Sequence, residues 1–238
     1  SRQSRGLGDV YKRQKHKVPL VITSLGAIAD LVNVVHGYGG LVYHDIIKKR
    51  HAEKAAEADV DGLIVVAAGA GGHAGTLHPI PLISEVKKVF DKKIVLSGCL
   101  STGNDIASAL QMGADMAYMG TRFINVDESM ADEEYKKMIM DSGAEDIVYT
   151  AAVSGVNASF LRPSLESMGI TEKHWKETKK IDFGSETDAV SEEAKAWKTI
   201  WSAGQGVTTI SDSVSVSKLV GKLKSEFITA IQNQQALL

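Results

Sequence analysis

The sequence predicts an α/β fold: a partial (β/α)8 barrel of about five βα units, followed by a C-terminal helical and irregular extension. Three observations carry this. Apolar runs of strand length alternate with longer amphipathic stretches. The strands start near residues 18, 40, 61, 92 and 115, mostly one βα unit apart. Polar and glycine-rich residues gather after the C-terminal end of every strand, the edge that carries the site in parallel α/β folds. Continuously apolar strands imply a parallel sheet covered on both faces, so a doubly wound sheet is the other architecture available. No GxGxxG follows any strand, which weighs against its dinucleotide-binding version.

The elements run in order. VPLVITS (18–24) is apolar and β-branched, and AIADLVNVVHGYG (27–39) has helical spacing and ends on glycine. GLVYHDI (40–46) is strand-like, and KKRHAEKAAEADV (48–60) is rich in helix formers. DGLIVVAA (61–68) is a buried strand, followed by a long loop and the amphipathic helix IPLISEVKKVFD (80–91). KKIVLSG (92–98) is a strand, NDIASALQMGA (104–114) a helix, and DMAYMGTRF (115–123) the last clear strand. Residues 126–142 read as a helix, 143–214 as irregular, and 214–238 as a closing amphipathic helix. Three regions follow: 1–14, 15–125 as the partial barrel, and 126–238 as an extension packing on it.

Residues 1–14, SRQSRGLGDVYKRQ, show no apolar periodicity and no capping pattern. They resemble the translated sequencing-adapter peptides found at the ends of genes assembled from mixed DNA, and are set apart as a non-native tail.

Composition narrows the function classes. The net charge is −2, and no basic block exceeds a few positions, so neither nucleic acid nor an anionic membrane surface is the expected partner. No apolar run approaches the roughly 18 residues of a membrane span. The single cysteine, Cys99, rules out an intramolecular disulfide and fits a reducing cytoplasm.

The loop AGAGGHAGT (68–76) carries the strongest chemical signal. Its four glycines let the backbone approach a flat ligand or a phosphate closely. Its one titratable group is His73, and an imidazole suits a general base. A histidine alone could equally serve only to hold the loop; its place in a glycine loop at a strand's C-terminal end favours chemistry. SGCLSTGND (97–105) and MGTRF (119–123) each turn sharply after a strand, where backbone N–H groups and a helix N-terminus can hold an anion. Ser97, Gly98, Gly120 and Thr121 leave room and offer donors there. His44 ends a strand on the same edge and is a candidate cofactor contact. His16, His51 and His174 read as surface residues, and His36 as a cation at a helix end. No HExxH, CxxC or carboxylate cluster occurs, so a metal is not expected.

Together ITSLG (22–26), GLVYHDI, the GAGGHAGT loop (69–76), LSGCLSTG (96–103), ALQMGADMAYMGTRF (109–123) and WSAGQGV (201–207) resemble the nitronate monooxygenases, from about Lys17 to the end. The GGHxG and MGTRF pair is shared with flavin-dependent enoyl-ACP reductases. The ITSLG, YHDI and WSAGQG segments are closer to the monooxygenases. The resemblance implies an FMN-binding barrel with His73 as base. It places the phosphate on Ser97, Gly98, Cys99, Gly120 and Thr121, and adds Gly71, Gly72 and His44 as cofactor contacts. Cys99 departs from the family's second glycine, which a backbone contact would survive.

The implied reaction takes an alkyl nitronate or nitroalkane and O2 to a carbonyl compound and nitrite. His73 would remove the proton α to the nitro group or orient a nitronate already formed, and the flavin would pass electrons to oxygen. Assembly into a homo-oligomer is left open. Only five βα units are visible where a closed barrel has eight. An N-terminally truncated fragment that binds FMN poorly by itself is therefore expected. Two alternatives remain open. An NAD(P)H-dependent flavin reductase of the enoyl-ACP type would show anaerobic flavin reduction by NADPH. A non-catalytic flavin- or phosphate-binding module would be indifferent to loss of His73.

Overall fold

The computed structural model describes residues 12–24, 29–153, 155–176 and 200–237. Five parallel strands form the main sheet in the order β1-β2-β3-β5-β6. They are β1 (Leu20–Thr23), β2 (Leu41–Ile46), β3 (Gly62–Val66), β5 (Lys93–Ser97) and β6 (Met116–Tyr118). Between them run α1 (Ala29–His36), α2 (Lys49–Glu57), α3 (Pro79–Val86) and α4 (Gly103–Gln111). The sequential order, broken only by a short β4 (Gly72–His73) in another sheet, is that of successive βα units. The likeness to an α/β parallel-sheet fold expected from the sequence is thus direct.

Alternation along each strand separates two faces. Val21, Val42, Leu63, Val65, Ile94 and Leu96 face the helices and pack with Val35, Ala52, Leu82, Ile83 and Val86 in the largest buried cluster. Tyr43, Ile64, Val66 and Val95 form the opposite, inner face, roofed by Ala70 and Ala74 of the long loop after β3. Toward the sheet's two edges the inner face is open: Leu20, Ile22, Leu41, Met116 and Tyr118 are all more than a third exposed. Strand starts are tied by carboxylates. Asp61 accepts from the Val42 amide at 2.7 Å and meets His36 Nε2 at 2.9 Å, and Asp115 accepts from the Ile94 amide at 2.9 Å.

Beyond residue 118 the structure departs from the sequence reading in three places. The helix expected over 126–142 is confined to Glu133–Asp141, and Val126 instead forms a β-bridge with Val214. The strand expected over 115–123 stops at Tyr118, and α5 (Thr121–Ile124) takes over as a single helical turn. The stretch expected to be irregular holds two more strands, β7 (Ile147–Thr150) and β8 (Ala158–Leu161), and two short helices, α7 (Arg162–Ser167) and α8 (Glu172–Lys176). α6 (Glu133–Asp141) precedes them. Strands of four residues are too short to show a period, and their apolar content belongs to a separate core of Val148, Phe160, Leu165, Ile170 and Ile200. β8 is the middle strand of an antiparallel sheet β4-β8-β7, so the extension pairs with the glycine-rich loop itself.

The closing helix α9 (Val216–Gln235) is capped by Ser215 and lies against α4. Before it, the chain is anchored by Arg122, 3% exposed, whose guanidinium reaches Asp212 Oδ1 at 2.6 Å and the Asp212 carbonyl at 3.1 Å. Among the described residues no helix is long and apolar enough to cross a membrane.

Candidate functional site

A cavity of about 290 Å3 opens at the C-terminal edge of the main sheet. Three loops line it: Ala70–Gly72 after β3, Ser97–Ser101 after β5, and Gly120–Thr121 after β6, joined by Tyr118, Ile124 and the segment 202–206. Seven residues singled out in the sequence therefore meet at one place: Gly71, Gly72, Ser97, Gly98, Cys99, Gly120 and Thr121.

Glycine is required here by close backbone approach. A Cβ on Gly204 would lie 2.7 Å from the Gly69 carbonyl and 2.8 Å from the Gly71 nitrogen, and one on Gly71 would lie 2.8 Å from the Gly204 nitrogen. The two glycine loops thus pack backbone on backbone, held by the Gln205 amide donating to the Gly69 carbonyl at 2.8 Å. The Gly204 amide in turn donates to Thr121 Oγ1 at 3.0 Å, tying the third loop to the other two. Gly72 and Gly120 serve differently: no protein atom lies within 4 Å of where either Cβ would stand, so both leave open space.

The donors of the site are its turns rather than a helix end. The first amides of α4 are already taken, since Asp105 Oδ2 accepts from Ser101 and Thr102 at 2.8 Å each and Glu226 Oε2 accepts from Gly103 at 2.8 Å. The helix contribution expected from the SGCLSTGND segment is therefore spent internally. Among the described residues the N–H groups of Gly98, Cys99 and Gly120 have no protein acceptor. Ser101 adds a further observation: it is 3% exposed, lines the cavity, and its Oγ has no hydrogen-bond partner. A buried hydroxyl left unsatisfied at a cavity wall, with free amides beside it, fits an anionic oxygen-rich ligand such as a phosphate.

Cys99 sits in the left-handed region, φ 58°, a conformation that favours glycine. Its thiol reaches toward the Ala68 carbonyl at 3.5 Å and Gln205 Oε1 at 3.8 Å. It is solvent-accessible, yet crowding by protein atoms and the Asp105 carboxylate hold the thiol above its ordinary pKa, which keeps it from being a reactive thiolate.

His73 is exposed and directly follows the cavity-lining Gly72, but is not itself among the residues that line the cavity. It is fixed by sheet pairing: Gly72 pairs with Ser159 and His73 with Ala158. The extension thus holds the loop that carries the candidate base. Tyr149 Oη also donates to the Ala74 carbonyl at 2.8 Å.

His44 is not brought to the cavity. It is 8% exposed and alternates with Tyr43, so it faces the helices, where Nδ1 meets Thr23 Oγ1 at 2.7 Å. Burial and then the charge of His51 lower its pKa. Its neighbour Asp45 takes the inner face instead, half-buried, and burial raises its carboxyl pKa against a hydrogen bond with Ser24 that lowers it. The YHDI motif was legible as polar residues at a strand end, but which of the pair turns inward depends on register with β1 and β3.

Asp45 supplies a test with a definite sign. A carboxyl whose folded pKa is raised is tolerated below its ordinary value of 3.8 and becomes a growing cost as pH rises through the folded value. Asp45→Asn is expected to raise Tm over the parent at neutral pH, with the gap shrinking toward acid. A gap that widens on acidification would show that the carboxylate is stabilising.

Gln205, Gly204 and Ser101 are site residues that sequence reasoning did not single out. WSAGQGV was noted as a segment, and its two glycines were the available signal.

A model described as "Nitronate monooxygenase" matches residues 6–226, beginning inside the segment that the sequence analysis set apart as foreign. The chain is 28% identical over 158 residues to a (3aS,4S,5R,7aS)-5-hydroxy-7a-methyl-1-oxo-octahydro-1H-indene-4-carboxyl-CoA dehydrogenase of Rhodococcus jostii, covering 63% of this chain and 45% of that protein. It is 27% identical over 150 residues to a nitronate monooxygenase of Paraburkholderia phytofirmans, covering 59% and 41% respectively. The matched stretch is thus less than half the length of these relatives. Among solved structures, FabK from Thermotoga maritima superposes with a TM-score of 0.80 at 21% identity over 96% of this chain and 74% of that one, a likeness of fold.

Proposed function

The chain belongs to the nitronate monooxygenase family, and from that premise we propose that it is an FMN-dependent oxidoreductase taking alkyl nitronates or nitroalkanes and O2 to a carbonyl compound and nitrite. The observation that carries this reading is the meeting of free turn amides and the unpartnered Ser101 hydroxyl in one cavity, on whose lining loop His73 follows Gly72.

The free amides of Gly98, Cys99 and Gly120, with the hydroxyls of Ser101 and Thr121, would hold the phosphate of FMN. Thr121 Oγ1 accepts from Gly204, and its own proton remains available to donate. Gly72 and Gly120 would admit the ligand where any side chain would intrude. When bound, FMN supplies the electron transfer between substrate and oxygen. His73 takes the α-proton of a neutral nitroalkane, the electron pair of that C–H bond moving to the nitro group, or orients a nitronate that arrives ready-made. The backbone-on-backbone packing of the two glycine loops anchors the loop that carries the base, two residues before it.

The name of the Rhodococcus relative favours a second reading, a flavin oxidoreductase that exchanges hydride with a thioester-linked substrate or a nicotinamide. Turnover separates the two. Nitrite released in proportion to O2 consumed, on addition of an alkyl nitronate, is the expected result. Oxygen uptake that needs NAD(P)H and ignores nitronate would establish the second reading.

A further inference from the structure

We propose that Glu226 on the closing helix is a specificity-determining residue of the phosphate site: its carboxylate takes the first amide of α4 and limits the negative charge that the Ser97–Ser101 loop accepts. The inference rests on the reading that this loop holds the phosphate of FMN.

An α-helix opens with amides that its own backbone leaves unpaired, and these amides and the helix dipole favour an anion. α4 opens at the cavity wall, where Ser101 precedes the capping Thr102 and keeps a buried hydroxyl without a partner. A phosphate in the cavity still meets no free amide of that helix. The contacts of Asp105 are local, since it accepts from Thr102 in a capping box while Thr102 Oγ1 accepts from the Asp105 amide. Glu226 is not local. It reaches the Gly103 amide at 2.8 Å from 123 residues away. Water serves a first-turn amide as well, so α4 by itself does not require this carboxylate. Gly103 admits it, because a Cβ there would stand 2.2 Å from the Leu223 carbonyl of α9.

No lining cation offsets this charge. Among the described residues the cavity wall carries no lysine, arginine or histidine. Arg122, next in the chain to the wall residue Thr121, is committed to Asp212 at 2.6 Å. The phosphate is thus held by neutral donors, with two carboxylates gathered at the start of α4. Gly103 lies two residues past Ser101, and two residues of chain reach at most about 7–8 Å. That is inside the Debye length of about 10 Å at 0.1 M salt, so the Glu226 charge is felt at the loop. Glutamine at this position keeps an oxygen for the Gly103 amide and removes only the charge.

Fluorescence titration of Glu226→Gln with FMN and with riboflavin tests the role. FMN is expected to bind about three- to tenfold more tightly than to the parent at low salt, the gain fading toward roughly 1 M salt. Riboflavin has the same ring and chain without the phosphate, and its affinity is expected to stay within about twofold of the parent. Glu85→Gln makes the same charge change at an exposed position near the other end of α3, and is expected to leave both affinities within about twofold. Inorganic phosphate, with no flavin present, is expected to raise the Tm of Glu226→Gln by more than that of the parent. No gain for FMN, an equal gain for riboflavin, a gain reproduced by Glu85→Gln, or an equal or smaller rise with phosphate each overturns the proposal. A parent that holds FMN no more tightly than riboflavin refutes the phosphate reading itself, and the proposal falls with it.

Discussion

His73→Ala is expected to reduce turnover of a neutral nitroalkane by about 10²- to 10⁴-fold, the usual contribution of a positioned general base. His73 is exposed and outside the cavity lining, and the phosphate-fitting residues lie on other loops. The substitution is therefore expected to leave FMN affinity within a few-fold of the parent. Oxidation of a preformed nitronate is expected to fall by much less, because the proton is already gone. Flavin fluorescence titration gives the affinity, and nitrite release gives the two rates. Loss of FMN binding together with activity would show that His73 only holds the loop. Equal loss with both substrates would remove the proton from its role.

Gly103→Ala is expected to cost about 1–3 kcal/mol or more in stability, the range for forcing a methyl into a closed contact. The added Cβ would stand 2.2 Å from the Leu223 carbonyl, 2.4 Å from the Phe227 nitrogen and 2.5 Å from Glu226 Cβ. Two of these are backbone atoms of α9, so no side-chain rotation relieves them, and the two helices must separate. Separation would also break the bond from the Gly103 amide to Glu226. α4 begins at the cavity wall, since Thr102 caps it directly after Ser101, so the displacement is transmitted to the loop proposed to hold the phosphate. Gly221→Ala is the internal control. It lies inside α9 with nothing within 4 Å of its would-be Cβ, and is expected to stabilise by about 0.5–1 kcal/mol. Urea denaturation of both variants measures the pair. A neutral Gly103→Ala would mean that α9 does not sit tightly on α4.

The parallel βα rhythm was legible because each strand is an apolar run bounded by glycine or a charged turn, and each helix long enough to show its stripe. Seven cavity residues were legible for the same reason: the C-terminal ends of strands are fixed once the strands are. What escaped was whatever depends on contacts distant in sequence. β4, β7 and β8 are two to four residues long and are defined by pairing with one another. Their role in presenting His73 is invisible to any local pattern. Ser101 carries no local signal, because what marks it is a buried hydroxyl without a partner. That His44 faces the helices and Asp45 the inner face is set by register, since one residue moves a side chain to the opposite face. The α4 terminus has the sequence of an anion site, but Asp105 and Glu226 occupy its amides, and Glu226 lies 123 residues away in sequence.

The most direct test is an anaerobic visible spectrum of the flavin-loaded protein, taken before and after addition of an alkyl nitronate without any nicotinamide. Loss of the oxidised-flavin bands on nitronate alone is the expected result. Bands that persist with nitronate and disappear on NAD(P)H would contradict the account and assign the site to a nicotinamide-dependent flavin reductase.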